Sequence, residues 1–266
     1  MPKLAPNLYH QFLELPARER FGAARRAGFD AIEWHFPYEI PIDDLKLLLD
    51  DNGLTFVNAV TPVDWSVSKG LAAQPGREDE FRRAADLALR YAFATGLRTL
   101  HPGPGQIPPG IAREHCIDVL RANLDYLCEQ ARGSDLVIAI EGVSNARFPN
   151  MVLQTIADAA AVAADLDRPN LGIIYDTFHL RHEEKGPLSA IYERHKDRIA
   201  HIQIGNAPPR HEPGVGEIDL FFLMDHFDRD GYSGWIGLEY DPSRDTWSSL
   251  RWAERYGYRI GARPAA

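Results

Sequence analysis

The chain is poor in sulfur and in positive charge, and both shortages narrow what it can be. Only two cysteines, Cys116 and Cys128, occur among its 266 residues. They fall on one helical pattern, where twelve positions separate their Cα atoms by ~18 Å, too far for a disulfide. A disulfide framework is therefore excluded, and nothing suggests an oxidising compartment. Lysine and arginine number 29 against 38 acidic residues, for a net charge of −9 and a pI near 5.6. Such a chain repels phosphate backbones. Its short basic pairs, in "ARRAGF" and "FRRAAD", lie in helical patterns and read as solvated faces. No nucleic-acid partner is expected. No run approaches the ~20 apolar residues that span a bilayer, and "MPKLAPNLYHQF" is not a basic segment followed by an apolar one. The expectation is a cytoplasmic protein with no membrane partner. There is no Ser/Gly run, charge block or low-complexity tract to act as a linker, so one domain is expected over 1–266. Nucleophile-elbow and P-loop patterns are missing too. The glycines of "HPGPGQIPPG" alternate with prolines that have no N–H for a phosphate.

What is present is an alternation of short apolar runs with longer helical ones. The strand-like runs are "KLAPNLY", "FDAIEW", "TFVNAV", "LRTLH", "DLVIAIE", "NLGIIYD", "RIAHIQI" and "GWIGLEY". Between them lie "PARERFGAARRAG", "PIDDLKLLLDDN", a helix over 78–95 stopped by Gly96, one over 111–132, "LQTIADAAAVAADL", "PLSAIYERHK" and "LFFLMDHFD" capped by Asp219. "TWSSLRWAERY" closes the pattern as a helix. Strands this continuously apolar are buried on both faces, and alternation of β and α implies a parallel sheet. Eight such units at this length predict a (β/α)8 TIM barrel. The competing open, doubly wound sheet normally has a Gly-rich first βα turn, whereas "LYHQFLELP" contains no glycine.

Polar residues terminate the later strands. Glu141 follows "LVIAI", Asp176 follows "LGIIY", Gln203 follows "IAHI" and Glu239 follows "WIGL". One βα unit separates each from the next, so a barrel brings all four to one side of its rim. Three carboxylates in a dry site need a cation between them or must protonate. An oxygen-only donor set points to a hard divalent metal, Mg²⁺ or Mn²⁺. Gln203 then supplies a neutral oxygen without a fourth negative charge. His179 and Arg210 lie just beyond two of these strands and are candidate substrate contacts, with Arg210 in a loop stiffened by Pro208, Pro209, Pro213, Gly214 and Gly216. Glu33 and His101 are candidates for the far side of the pocket, and Trp34, Phe36 and Trp65 for an apolar wall.

The stretches "IEGVSN", "YDTFHL", "HIQI", "RHEPGVGEID" and "GLEYDP", with "FDAIEWHFPYE" and "VDWSVSKGLAAQPGREDEFR" upstream, resemble the hydroxypyruvate isomerase family of xylose-isomerase-like TIM barrels. The resemblance runs from the first strand to the last helix. It implies a divalent metal held by Glu141, Asp176, Gln203 and Glu239, with Glu141 and Glu239 also acting as catalytic acid/base groups. It implies substrate contacts from His179 and Arg210. The implied reaction interconverts small hydroxy-aldehyde and hydroxy-ketone acids through an enediolate, as in hydroxypyruvate to tartronate semialdehyde. A 2-oxo-tetronate isomerase, a ketose epimerase and an inosose-type dehydratase are alternatives on the same scaffold. A DNA-repair endonuclease and a non-catalytic binding barrel are the alternatives outside that class, and a homo-oligomer is left open. The chain departs from the family at "EGVS", where E-P-I-N is expected, at Val63, where a glycine is expected, and at Gln106, where a lysine often stands.

Overall fold

The computed structural model describes residues 1–261. The end of the single domain expected over 1–266 thus lies outside the described residues. Eight strands form one parallel sheet: β1 (Lys3–Pro6), β2 (Ala31–Glu33), β3 (Thr55–Val60), β4 (Thr99–His101), β5 (Val137–Ile140), β6 (Leu171–Asp176), β7 (Ile199–Ile204) and β8 (Trp235–Leu238). Their order is β1-β8-β7-β6-β5-β4-β3-β2. The remaining seam, between β1 and β2, closes through a parallel bridge of Asn7 with Glu33, where Leu8 N donates to Glu33 O at 2.8 Å. The sheet is thereby a ring, the (β/α)8 barrel that the alternation predicts.

The helices outside the ring are α1 (Glu19–Arg26), α2 (Ile42–Asn52), α3 (Glu78–Thr95), α4 (Arg113–Gln130), α5 (Ile156–Leu166), α6 (Thr177–Glu183), α7 (Leu188–His195), α8 (Leu220–Arg229) and α9 (Thr246–Ser249). Local chemistry sets their ends. α3 opens on Glu78, Asp79 and Glu80, which complement the helix dipole, and stops at Gly96 in the left-handed region at φ 67°. α5 starts with a capping box of Thr155 and Asp158. Asp219 caps α8 by accepting from Phe222 N at 2.9 Å.

Two elements differ from the sequence expectation. α6 follows β6 immediately, because Asp176 itself caps it. The last segment is α9 followed by a 3₁₀ run over Arg251–Tyr256 rather than one α-helix. Its buried apolar residues, Trp247, Leu250, Ala253 and Tyr256, recur every third position, which fits a three-residue turn better than a 3.6-residue one.

Inside the barrel the side chains are layered. Ala5, Ala31, Val57 and Trp235 form an apolar floor. Two residues further along, β1 and β2 turn polar with Asn7 and Glu33, while Ala59 and Gly237 at the matching positions of β3 and β8 stay small. That polar layer supports the site.

Candidate active site

A pocket with an empty volume of about 730 Å³ opens at the carboxyl ends of the strands. Glu141, Gln203 and Glu239 line it, and Asp176 lies just behind, 1% exposed. Asp176 Oδ2 is 2.5 Å and Glu239 Oε1 is 2.8 Å from the same nitrogen, Arg210 Nη2. Glu141 Oε1 stands 4.0 Å from His179 Nε2, which is 3.8 Å from Asp176 Oδ2. The three carboxylates thus converge around Arg210 and His179. Gln203 donates its amide N–H to Glu33 Oε2 at 3.1 Å, which leaves its carbonyl oxygen for a ligand.

His179 and Arg210 both reach the pocket. Ser144 N donates to His179 Nδ1 at 3.2 Å. A backbone N–H can only donate, so the neutral ring carries its proton on Nε2, on the side of the carboxylates. His179 is therefore set up as a hydrogen-bond donor. The Arg210 guanidinium lies 4.7 Å from the Phe178 ring centroid. Its loop is held by Asp241 N donating to Arg210 O at 2.9 Å and by Glu212 accepting from Ser243 N at 3.0 Å. His101 lines the pocket with its Nε2 buried and unpartnered.

Glu33 is placed differently from expectation. It is fully buried beneath the pocket and does not line it. Asn7 Nδ2, at 3.1 Å, His201 Nε2 and Gln203 Nε2 all converge on its carboxylate. It reaches them across the barrel because position 237 is glycine: a Cβ there would stand 2.1 Å from Glu33 Oε1. Glu33 therefore supports the site from below. The expected aromatic wall is also only partly there. Trp65 lines the pocket, and Phe36 packs on it with centroids 5.6 Å apart. Trp34 turns outward and packs on Phe21 at 5.7 Å.

Several pocket residues escaped the sequence analysis. His10 Nδ1 lies 2.8 Å from Asp241 Oδ1, and its Nε2 is 3.9 Å from Glu239. His35 accepts from Asn7 Nδ2 at 2.8 Å and stacks on Tyr9 at 5.2 Å. The signal lay in "LYHQF" and "IEWHF", where each histidine sits just past a strand. The departure at Gly142 also has a physical reason. A Cβ at that position would come within 2.3 Å of the Thr155 backbone, so this loop leaves no room for the expected proline.

The electrostatics separate the carboxylates. Burial pushes Glu141 well up, reinforced by the charges of Asp176 and Glu239. Burial also raises Asp176, to about 7. Burial acts on Glu239 in the same sense and is the largest single influence, but Arg210, His35 and His10 together outweigh it and hold that carboxyl well below its usual range. His179 is driven well down by burial and by Arg210, and burial lowers His101 to about 4. Among the described residues, two donor groups have ligand atoms within 4.8 Å of one another: Glu141, Asp176 and His179, and His10, His35 and Glu239. In the second, the His35 Nε2 lone pair is already taken by Asn7. In the first, Glu141 Oε1 is buried with no hydrogen-bond partner. Three carboxylates around one guanidinium, one of them with an orphaned oxygen, fit a hard divalent cation.

Comparison with known proteins agrees with this geometry. The family model described as xylose isomerase-like TIM barrel matches residues 21–256. The 2-oxo-tetronate isomerase of Haemophilus influenzae is 36% identical over 259 residues, covering 96% of this chain and 100% of that protein. The hydroxypyruvate isomerase of Escherichia coli is 34% identical over 258 residues, with coverage of 96% and 100%. The crystal structure of an AP endonuclease of family 2 from Brucella melitensis superposes with a TM-score of 0.93 at 34% identity, covering 96% of this chain and 99% of that one. The chain belongs to the xylose isomerase-like TIM barrels, among the enzymes named hydroxypyruvate isomerase and 2-oxo-tetronate isomerase.

Proposed function

We propose that this protein is a cytoplasmic, divalent-metal-dependent isomerase of short hydroxycarbonyl acids, of the hydroxypyruvate or 2-oxo-tetronate type, working through an enediolate. The observation that carries the reading is geometric: Glu141 and Glu239, from β5 and β8, face one pocket, Glu141 beside His179 and Glu239 beside Arg210. Two carboxylates facing one pocket can serve as an acid and a base, and the opposite directions in which their surroundings push them agree with that. Glu239, held ionised by Arg210, takes the proton from the hydroxyl-bearing carbon. Glu141 returns a proton to the neighbouring carbon. In the same exchange the hydroxyl oxygen gives up a proton and the former carbonyl oxygen gains one, so the product is an isomer with no atoms lost. Glu141, Asp176, Gln203 and Glu239 would hold Mg²⁺ or Mn²⁺, which would supply Lewis-acid stabilisation of the charge that develops on oxygen. His179, with its proton on Nε2, donates to a substrate oxygen, and Arg210 orients the carboxylates it bridges. The buried free thiols Cys116 and Cys128 suit a reducing compartment. Among the described residues no helix is long and apolar enough to cross a membrane.

The test is proton exchange. Hydroxypyruvate and a 2-oxo-tetronate are incubated in D₂O with protein reloaded with Mg²⁺ or Mn²⁺, and NMR locates the deuterium. Uptake at the former carbonyl carbon of the product, lost on chelation and restored by metal, is expected. Exchange that ignores chelator removes the metal from the reading. No exchange on any hydroxycarbonyl compound ends it, and tight binding of abasic-site DNA at moderate salt would put a nuclease in its place.

A further inference from the structure

We propose that Lys69 and Arg147 form the carboxylate-binding end of the pocket and make the protein select hydroxycarbonyl acids over neutral sugars of the same length. The inference rests on the isomerase reading above and adds the residues that choose the substrate class.

Charge in the pocket is sorted by depth. Glu141 and Glu239 are buried at the strand ends, and the Arg210 charge is absorbed between Asp176 and Glu239. Arg210 is thus committed to protein carboxylates. Lys69 is half-buried and Arg147 exposed, in the loops after β3 and β5, and both line the pocket. Among the described residues neither has a carboxylate within ion-pair distance, whereas Arg77, Arg113, Arg121 and Arg168 all do. In an acidic chain, two pocket cations without acidic partners call for an anion from outside.

The two cations meet over one aromatic pair. Trp65 and Phe148 have ring centroids 5.3 Å apart. Lys69 Nζ lies 4.8 Å from the Trp65 ring and 5.5 Å from Phe148, and the Arg147 guanidinium lies 5.2 Å from Phe148 on the other loop. The ammonium uses one donor on Trp65 O at 2.5 Å and keeps two. The Trp65 indole N–H is buried without an acceptor. The loop carrying Arg147 is tied down from the side, where Gln106 Nε2 donates to Pro149 O at 2.7 Å and Gln106 bridges to Met151. A ligand whose hydroxycarbonyl end sits against Glu141 and Glu239 directs its other end toward these cations. A carboxylate there satisfies them; a hydroxymethyl group does not.

The experiment compares hydroxypyruvate with dihydroxyacetone, a hydroxyketone of the same length without the acid. The metal-loaded wild type, Lys69→Ala, Arg147→Ala, the double variant and Arg147→Lys are assayed by deuterium uptake. The ratio of kcat/KM for the acid to that for the neutral ketone should fall roughly tenfold in each single alanine variant and roughly a hundredfold in the double, mainly through KM. Arg147→Lys should restore most of its share. An unchanged ratio in a double variant that melts at the wild-type temperature overturns the proposal. So does a preference for dihydroxyacetone phosphate over hydroxypyruvate, which would make the anion a phosphate. Calorimetric titration with glycerate and glycerol, with and without metal, is independent of turnover. The preference for glycerate should drop tenfold or more in the double variant, and no preference in the wild type counts against the site. If no C–H exchange occurs at all, the isomerase reading fails while the glycerate titration still decides this one.

Discussion

The two halves of the ring have the same backbone and different chemistry at the rim. β5 to β8 bring Glu141, Asp176, Gln203 and Glu239 to the rim. β1 to β4 bring His10, His35 and His101, and keep their one inward carboxylate, Glu33, out of the pocket under hydrogen bonds from Asn7, His201 and Gln203. Burial lowers His10 and takes His101 to about 4, so both present neutral rings. One half supplies carboxylates, and the other supplies histidines and, from the loop after β3, the cation of Lys69. A barrel has no intrinsic reason for such a division, since each strand end is topologically equivalent. On the isomerase reading proposed above, the carboxylate wall would take a cation and the C–H acid, and the opposite wall would hold the substrate's oxygens.

The largest expected effect falls on the carboxylate half. Glu239→Gln and Glu141→Gln keep the shape of each side chain and remove its proton chemistry. Each should lower exchange and turnover by ~10²–10⁴, measured as kcat for hydroxypyruvate with metal present. The opposite shifts of the two groups add a distinction. Glu239→Gln also removes one of the two carboxylates that Arg210 bridges, so it should weaken metal retention as well. Near-wild-type rates in either variant would separate that carboxylate from the chemistry and erase the contrast between the halves.

The next effect tests the layer that joins the halves. Glu33→Ala leaves His201, Gln203 and Asn7 without their shared acceptor in the barrel interior, and loss of one partner of a buried ionic cluster costs ~3–5 kcal/mol. Gly237→Ala should damage the same layer from the other side, because its Cβ would overlap Glu33 Oε1, at roughly 1–3 kcal/mol for overpacking. Denaturant unfolding measures both. If Glu33→Ala unfolds at the wild-type midpoint, Glu33 does not hold the barrel together there.

The same contrast explains what was legible in the sequence. Glu141, Asp176, Gln203 and Glu239 each follow an apolar run, so the period-two pattern breaks where chemistry begins. β2 and β4 are only three residues long, too short for a break to show, and His10 and His35 stand in turns past the last paired residue. Glu33 was visible as a strand end, but its depth depends on Gly237, which lies 204 positions away in the chain and reads as an ordinary glycine. α6 was hidden because its cap, Asp176, is also a strand terminus. The eight-unit alternation, set by burial of whole elements, was fully readable. Cross-barrel contacts depend on pairs of distant residues, which one sequence does not mark.

A pH dependence sharpens the comparison from the histidine half. His101 has a folded-state pKa of about 4, lowered by burial from 6.5. Between those values the unfolded chain binds more protons than the folded one, so stability rises with pH there. Above 6.5 both states are neutral and His101 contributes no slope. On acidification from 6.5 toward 4 it should withdraw about 3 kcal/mol. Urea unfolding of the wild type and of His101→Gln at pH 7 and pH 5 should show a shallower loss in the variant. Equal losses would mean that His101 protonates as freely folded as unfolded.

The smallest effect comes from comparing two aspartates that do the same local job. Asp176 and Asp219 each cap a helix with a side-chain oxygen, accepting from Phe178 N at 2.7 Å and from Phe222 N at 2.9 Å. Asp219 is exposed and touches nothing in the pocket, so Asp219→Ala should cost only the cap, ~1 kcal/mol, and leave deuterium exchange intact. Asp176 also faces Arg210 and stands within ligand distance of Glu141 and His179. Asp176→Asn retains a capping oxygen yet removes the charge opposite Arg210, so it should keep most of the helix and lose metal-dependent exchange. Equal behaviour of the two variants in the exchange assay would show that Asp176 is a cap like any other.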